Sequence, residues 1–249
     1  MKLLEVRDLE MSFPSLDRRH RESVIKGASF DVGREEFVGL VGESGCGKST
    51  LARIIMGLIR PDKGTVSLDG DVLRYPYRPE TYKNLQMVFQ LPKDSFDPRK
   101  SLGRAVTDVQ MNFGADRKAA RAKTMELLGN VGLNESFYNK YPHEVSGGEC
   151  QRAAIARSLA AGPSLLICDE VTSALDVSVQ AQIMELLKKI KEESGISVLF
   201  ISHDIALVSC VCDRIMVMNN GYIVEQGRTE DIITSPKNEY TKTLISSIL

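Results

Sequence analysis

The sequence predicts an α/β protein with a mostly parallel central sheet. Its opening residues alternate between apolar and polar types, as half-buried strands do. In the second half, short continuous apolar runs alternate with stretches of helical spacing, which is typical of a parallel sheet covered by helices on both faces. Between these parts, residues 92–142 form charged helical stretches punctuated by glycine and proline, which indicates an inserted helical subdomain.

Composition narrows the class of protein. The 249 residues allow one large domain, or one domain with a small appendage. With 32 basic and 33 acidic residues the net charge is -1, so we expect no nucleic-acid partner. No apolar run approaches the roughly 18 residues of a membrane span, and we expect a cytosolic chain. The five cysteines include no C-x-x-C pair, which predicts reduced thiols and no structural metal.

The elements follow from the spacing of apolar residues. Apolar alternation and short apolar runs predict strands over residues 3–6, 29–32, 37–41, 65–68, 165–168 and 197–201. Helical spacing predicts helices over residues 48–59, 116–128, 150–160, 177–193 and 205–211. The charged loop at residues 17–22 is interpreted as a solvated connection rather than a phosphate-binding patch.

A phosphate-binding loop is predicted between the strand at 37–41 and the helix that follows it. The pattern G-x-x-x-x-G-K-[ST] is matched by Gly42, Glu43, Ser44, Gly45, Cys46, Gly47, Lys48 and Ser49. The glycines let backbone N–H groups turn toward phosphate, and the helix presents its positive end to the same anion. We expect Lys48 to reach the β- and γ-phosphates, the Ser49 hydroxyl to bind Mg²⁺, and Thr50 to add a phosphate hydrogen bond.

Two carboxylates follow the apolar run 165–168, at the end of a strand where open α/β sheets bind ligands. Asp169 is predicted to hold Mg²⁺ through a water, and Glu170 to polarise the water that attacks the γ-phosphate. The alternative is that the pair only caps the next helix. His203 follows another core-like strand. A single histidine is usually structural, but this position favours contact with the γ-phosphate at the same edge.

A second candidate anion-binding element precedes the helix predicted over residues 150–160. Ser146 and Glu149 fit a capping box, in which the serine is the N-cap and the glutamate bonds back to it. A capping box alone does not explain Gly147 and Gly148, which weaken a helix but allow an anion close to backbone N–H groups. Both interpretations are compatible.

These residues resemble the nucleotide-binding subunit of an ABC transporter. The resemblance covers nearly the whole chain and rests on six elements in order: the phosphate loop, Gln90, residues 146–149, 165–170 and 173–176, and His203. It implies a P-loop NTPase core with a mostly parallel sheet, an N-terminal antiparallel β subdomain and an inserted helical subdomain. The implied boundaries are residues 1–91 and 146–249 for the core and 92–145 for the insertion.

The resemblance also implies roles for single residues. Phe13 would stack on adenine, and Gln90 would link the Mg²⁺ site to the helical subdomain. Residues 173–176 would cross a dimer interface, and His203 would be the γ-phosphate switch residue. Subunits of this family pair head to tail, so that the phosphate loop of one and the Ser-Gly-Gly segment of the other close on one ATP. Hydrolysis removes the γ-phosphate bridge and the pair opens.

Two departures from the family pattern stand out. Glu149 replaces the usual glutamine of the Ser-Gly-Gly segment, which also begins with Val145 in place of a larger residue. The extra negative charge is unfavourable beside phosphates unless the capping box holds it aside. Val171 occupies the position of a common proline, which leaves the predicted role of Glu170 unchanged.

Residues 90–99 and 235–244 resemble segments of the peptide and nickel importers of bacteria and archaea. Their simpler interpretation is a proline-rich turn and an amphipathic last helix.

The short chain resembles the second, shorter ATPase of a heteromeric pair, as in the nickel systems. The implied partners are a second ATP-binding subunit, identical or different, two membrane-spanning permease subunits and, indirectly, an extracytoplasmic substrate-binding protein. We then expect the chain at the cytoplasmic face of the membrane, with the cargo open between nickel, other metal chelates and short peptides.

Two other function classes fit part of the sequence. A soluble ABC ATPase of DNA repair or translation usually carries a long coiled coil or two ATPase modules, whereas here the interval from Lys48 to Ser146 is short and each motif occurs once. A P-loop kinase or GTPase does not account for residues 146–149. ATP hydrolysis that drives import is the function that the sequence favours.

Overall fold

The computed structural model describes residues 1–15, 20–173 and 175–246 and divides into two compact units. The first unit comprises Met1–Tyr77 with Gly195–Leu249, and the second comprises Arg78–Ser194. Residues 17–19 of the charged loop, and Ala174 in the segment expected at a dimer interface, lie outside the described residues. The subdomain boundaries at residues 92–145 stay a prediction.

The elements confirm the predicted α/β class. In chain order the strands are β1 (Lys2–Pro14), β2 (Arg21–Gly33), β3 (Phe37–Val41), β4 (Lys63–Leu68), β5 (Asp71–Val72), β6 (Leu85–Val88), β7 (Leu165–Asp169), β8 (Ser197–Ser202), β9 (Arg214–Asn219) and β10 (Tyr222–Arg228). The α-helices are α1 (Lys48–Ile55), α2 (Thr81–Asn84), α3 (Leu102–Asn112), α4 (Arg117–Asn130), α5 (Gly147–Leu159), α6 (Val177–Ser194), α7 (Ile205–Ser209), α8 (Thr229–Thr234) and α9 (Glu239–Ser246). Short 3₁₀ helices occupy Lys93–Ser95, Glu135–Tyr138 and Pro142–Glu144.

The first unit contains an antiparallel sheet and a mainly parallel group of strands. In the antiparallel sheet, β1 pairs with β2 and β4, and β4 pairs with β5. In the other group, β3 lies parallel to both β8 and β9, and β10 is antiparallel to β9. Every residue of β3 and β8 is buried, as expected of strands inside a covered parallel sheet. Val41 is the register partner of Ser202, so Gly42 and His203 leave the sheet at the same edge.

The first strands are longer than the sequence predicts. β1 and β2 each extend over 13 residues, whereas the alternation predicted only residues 3–6 and 29–32. Their pairing contains register shifts, one of them between Val6 and Leu9, where Asp8 has a positive φ of 47°. Such bulges break the period-two pattern without ending the strand, which is why the alternation underestimates their length.

Helix α1 ends at Ile55, so the prediction that it continues to residue 59 is wrong. The N–H of Gly57 donates to the carbonyl oxygen of Ile54, and the N–H of Leu58 donates to that of Arg53, each over 2.9 Å. Together with the left-handed backbone of Gly57, at a φ of 69°, these bonds form a Schellman motif. The motif stops the helix before the Pro-Asp-Lys-Gly turn on which the prediction relied.

The second unit pairs β6 in parallel with β7 and packs α3, α4 and α5 against one another. Asp116 is the N-cap of α4 and Ser146 is the N-cap of α5. Both side chains accept hydrogen bonds from backbone N–H groups of the first helical turn. The prediction placed the start of α5 at residue 150, and the capping box extends it back to Gly147. In the first unit, α7 ends at Ser209 rather than at the predicted residue 211.

None of the helices among the described residues is both long enough and apolar enough to cross a membrane. None of the five cysteines, all of which lie among the described residues, forms a disulfide. Cys46, Cys150, Cys168 and Cys212 are buried, and Cys210 is exposed.

Candidate nucleotide-binding site

The predicted phosphate loop connects β3 to α1, as its mechanism requires. The Lys48 side chain is buried, with 4% of the residue exposed. Its Nζ donates to the carbonyl oxygen of Gly42 over 2.8 Å and to that of Glu43 over 2.9 Å. The loop is therefore folded around an ammonium group, and phosphate oxygens can take over these bonds because they are stronger acceptors for a cation than neutral carbonyls.

The backbone of the loop requires glycine at position 47. Gly47 is the N-cap of α1 and has a φ of 111°, which side-chain-bearing residues rarely adopt. A Cβ atom there would lie 2.9 Å from both the Val24 carbonyl oxygen and Ile25 Cδ1 of β2. Ser49 and Thr50 follow in the first turn of α1, which contains no acidic residue. The helix therefore presents its N-terminal N–H groups to an anion without a competing carboxylate in that turn.

Cys46 contributes a neutral group to the loop. Its side chain is buried, and burial raises the pKa of the thiol above its ordinary value. The Sγ atom lies 4.0 Å from Lys48 Nζ. Because the thiol remains protonated at neutral pH, it adds no negative charge where phosphate would bind.

The turn after β8 exposes His203. Asp204 N donates to Ser202 Oγ over 3.0 Å, and the Asp204 carboxylate accepts from Leu207 N over 3.0 Å, so that Asp204 caps α7. The imidazole is thus carried by a short hydrogen-bonded turn at the sheet edge from which the phosphate loop starts. Phe13 lies in β1, half-buried, opposite Glu22 of β2.

In the second unit, the predicted catalytic carboxylate is held by Gln90. Glu170 follows β7, and its Oε2 accepts from Gln90 Nε2 over 3.0 Å. The same Nε2 donates to Ser173 Oγ over 3.3 Å, and that hydroxyl donates to the Glu170 carbonyl oxygen over 3.0 Å. Asp169, the last residue of β7, is buried. The sequence placed Gln90 near this site, but it gave no sign that Ser173 joins the same hydrogen-bonded group.

The capping box predicted at Ser146 is present. Ser146 N donates to Glu149 Oε2 over 2.8 Å, and Glu149 N donates to Ser146 Oγ over 3.3 Å. The hydrogen bonds from Ser146, the backbone N–H first, hold the pKa of the Glu149 carboxyl below its ordinary value. The charge that departs from the family pattern is therefore directed back to the N-cap of its own helix.

The two glycines of this segment differ in their surroundings. A Cβ atom on Gly148 would lie 2.6 Å from Val179 Cγ1 of α6, so packing alone requires glycine there. A Cβ atom on Gly147 would meet only Leu175 Cδ2, at an ordinary 3.5 Å. Gly147 is also exposed. Of the pair, Gly147 is the glycine that internal packing does not explain and that a ligand could approach.

Each unit, taken by itself, contains oxygen donors of the hard type that Mg²⁺ prefers. Among the described residues, no group of three His, Cys, Asp or Glu side chains could hold a metal ion. A Mg²⁺ ion that binds with phosphates needs only one or two protein ligands, because phosphate oxygens and waters complete its shell. The Ser49 hydroxyl in the first unit and the oxygens of Asp169 and Gln90 in the second are donors of this hard type.

Comparisons with known proteins identify the family to which this chain belongs. The family model described as ABC transporter matches residues 25–173, which include the phosphate loop, Gln90, the Ser146 capping box and Glu170. The chain belongs to the ABC transporter family. The oligopeptide transport ATP-binding protein OppF of Haemophilus influenzae is 40% identical over 258 residues, covering 99% of this chain and 78% of that protein. AppF of Bacillus subtilis, with the same description, is 39% identical over 256 residues, covering 99% and 78%.

Solved structures of ABC cassettes share the fold. The ATP-binding cassette MJ0796, in a dimeric post-hydrolysis state with ADP and Pi, gives a TM-score of 0.81 at 28% identity, covering 91% of this chain and 99% of that one. CbiO1 of Clostridium perfringens, part of the ABC transporter complex cbiONQ, gives 0.82 at 28% identity, covering 94% and 91%. The predicted ABC-type ATPase class is confirmed, and these relatives are transporter cassettes rather than DNA-repair ATPases.

One contact to the phosphate loop has no counterpart in the sequence motifs. Glu43 N donates to the Oη of Tyr240, which lies in α9 near the C-terminus of this ABC chain. Tyr240 belongs to the segment that resembles the peptide and nickel importers, but nothing in its spacing indicates a contact with residue 43. A hydrogen bond across 197 positions becomes visible only in the folded first unit.

Proposed function

We propose that this chain is the ATP-hydrolysing subunit of an ABC importer of short peptides. The proposal that the cargo is a peptide rests on one observation. The chain is 39–40% identical to oligopeptide transport ATP-binding proteins along 99% of its length. These relatives are not described as transporters of nickel or of other metal chelates, the cargoes that the sequence also left open. ATP would bind with Mg²⁺, which supplies positive charge to the phosphates in reactions of this class.

In the first unit, the phosphate loop and His203 would hold the triphosphate. The backbone N–H groups of residues 44–50 would surround the phosphates, while Lys48 exchanges its loop carbonyls for the β- and γ-phosphate oxygens. Ser49 would be a magnesium ligand and Thr50 a phosphate donor. His203 would contact the γ-phosphate from the neighbouring strand end, and Phe13 would stack on the adenine ring.

In the second unit, Glu170 would orient and polarise the attacking water. Its carboxylate is already positioned by Gln90, and its backbone is bonded to Ser173, so that little ordering remains when the substrate binds. Asp169 would hold Mg²⁺ through a water. Gln90 would report the state of the nucleotide to residues 92–145, the proposed helical subdomain.

The partners follow from the family architecture. A second ATP-binding subunit, identical or different, would supply its Ser-Gly-Gly segment to the ATP held by this phosphate loop. In return, this chain would supply residues 146–148 to the ATP held by the second subunit. Two membrane-spanning permease subunits would dock on the proposed helical subdomain, and an extracytoplasmic protein would deliver the peptide to them. The chain would then lie at the cytoplasmic face of the membrane. Triphosphate binds the closed pair more tightly than the open one, so its hydrolysis reopens the pair.

The test is reconstitution with the cognate permease and substrate-binding subunits. We expect short peptides to stimulate ATP hydrolysis, and nickel ions or metal chelates to leave it at the basal rate. The Lys48→Ala variant, in which ATP binding should weaken about 10- to 100-fold through loss of a charged hydrogen-bond donor, controls for contaminating ATPases. Stimulation by nickel and not by peptides would reject the proposed cargo.

A further inference from the structure

The C-terminal helix α9 reaches the phosphate loop through one hydroxyl group. Glu43 N donates to Tyr240 Oη over 3.0 Å. This N–H belongs to the same peptide group as the Gly42 carbonyl oxygen, which accepts from Lys48 Nζ over 2.8 Å. The Gly42–Glu43 peptide group, where the chain leaves β3 to form the loop, is therefore held on one side by the tyrosine and on the other by the lysine.

The tyrosine is itself fixed within the first unit. Tyr240 N donates to Asn238 Oδ1 over 2.9 Å. The two residues before α9 are anchored to β10, because Glu225 accepts from Lys237 N over 2.8 Å and from Asn238 N over 3.1 Å. The position of the phenol thus depends on a strand of the sheet and not on a freely moving chain end.

The Tyr240 hydroxyl is in the neutral form in which it accepts the hydrogen bond from Glu43 N. Tyr240 is half-buried, and burial raises the pKa of its hydroxyl above the ordinary value. It therefore remains a neutral hydroxyl at physiological pH and accepts the Glu43 N–H throughout that range. No ionisation is needed for this contact, and we expect it to be independent of pH between about 6 and 9.

We propose that Tyr240 is a positioning residue for nucleotide binding, whose hydroxyl sets the phosphate loop in its binding shape before the nucleotide arrives. If this bond is lost, part of the cost of ordering the loop has to be met when the nucleotide binds, and affinity falls. The inference rests on the proposed use of residues 42–50 as the ATP phosphate loop. Because Tyr240 acts on the loop and not on the reacting atoms, it should affect ADP and ATP alike.

The test is the Tyr240→Phe variant of the full chain, which removes only the hydroxyl. We expect the Kd for ADP, measured by calorimetry, to rise about three- to tenfold, as the loss of one neutral hydrogen bond predicts. The KM for ATP should rise by a similar factor, with kcat changed by less than about twofold. Hydrogen–deuterium exchange should increase in peptides that cover residues 42–47 and stay unchanged in those that cover β10.

Tyr222→Phe is the matched control, because it removes the same hydroxyl group from an exposed tyrosine of β10, whose ring centroid lies 5.3 Å from Lys26 Nζ. It should leave the Kd for ADP unchanged. In a second variant, Glu225→Ala should reproduce the weaker binding by releasing the residues before α9, and Glu225→Gln, which keeps an acceptor oxygen, should largely restore it.

Two results would overturn the inference: an unchanged Kd with unchanged exchange in Tyr240→Phe, or a weaker Kd accompanied by faster exchange throughout the first unit, which is the mark of general destabilisation. Failure of the proposed function looks different. In that case Lys48→Ala would bind ADP and ATP as well as the unsubstituted chain does, whatever the Tyr240 variants show.

Discussion

Glu170 combines an uncommon backbone with a fixed side chain. Its φ of 48° lies in the left-handed region, which non-glycine residues seldom occupy outside turns and functional sites. Ser173 stabilises this conformation, since both its N–H, over 3.2 Å, and its hydroxyl donate to the Glu170 carbonyl oxygen. Gln90 holds the carboxylate. A substitution that keeps the size of the side chain should therefore leave the turn intact and change only the chemistry.

Glu170→Gln is expected to bind ATP normally and to lower its turnover by about 10²–10⁴-fold, the usual contribution of a general base. The amide has the same shape but cannot accept a proton from water. Nucleotide affinity by calorimetry and phosphate release with Mg²⁺ and ATP measure the two effects separately. Full hydrolysis by this variant would remove Glu170 from its proposed role.

Glu149 gives a prediction about pH. Its pKa is lower in the folded chain than in the unfolded one, so its ionisation favours folding above the unfolded pKa, and this contribution disappears as the pH falls through the folded pKa. We expect Glu149→Gln to be less stable than the unsubstituted chain at pH 7, and the difference to shrink as the pH falls below the ordinary glutamate pKa of about 4.3. Denaturant unfolding from pH 7 to pH 3 measures it. A difference that grows toward low pH would contradict the capping geometry.

At the scale of elements, the two glycines at the start of α5 differ in their surroundings: Gly148 packs against α6, and Gly147 is exposed. Gly148→Ala should destabilise the chain by about 1–3 kcal/mol, because the new Cβ would overlap Val179. Gly147→Ala, its matched control, should leave stability within about 0.5 kcal/mol of the original. Thermal unfolding compares the two. Equal losses of stability would show that close contact with α6 is not what distinguishes these positions.

The same element shows what the sequence could and could not predict. The capping box, the phosphate loop and the strand Phe37–Val41 were predictable because each depends on residues within a few positions of one another. In the strand Leu85–Val88, Gln86 interrupts the apolar run without setting up an alternation, so the strand was not predicted. Helix α3 and strands β9 and β10 were not predicted either. The contacts of Gln90 with Ser173 and of Glu43 with Tyr240 join distant parts of the chain, and no local pattern encodes them.

At the scale of the whole molecule, the family predicts an association that depends on nucleotide. Glu170→Gln with ATP and Mg²⁺ should form a pair of ATPase subunits, with itself or with its cognate partner, because the γ-phosphate bridge cannot be cleaved. Size-exclusion chromatography with light scattering would detect it, and ADP should not support it. In the Glu170→Gln background, Gly147→Ala should weaken the pair although it leaves the fold stable.

The distribution of thiols has a practical consequence for such experiments. Four of the five cysteines are buried, and the thiol pKa values of Cys46, Cys150 and Cys168 are raised by burial, to about 11 for Cys150. Cys210, at the end of α7, is the exposed one. A maleimide dye should therefore attach at a single place on the unsubstituted chain, at the C-cap of the short helix that follows His203. Cys210 can therefore serve as a labelling site, without substitutions, for fluorescence measurements of how two subunits associate and separate during a catalytic cycle.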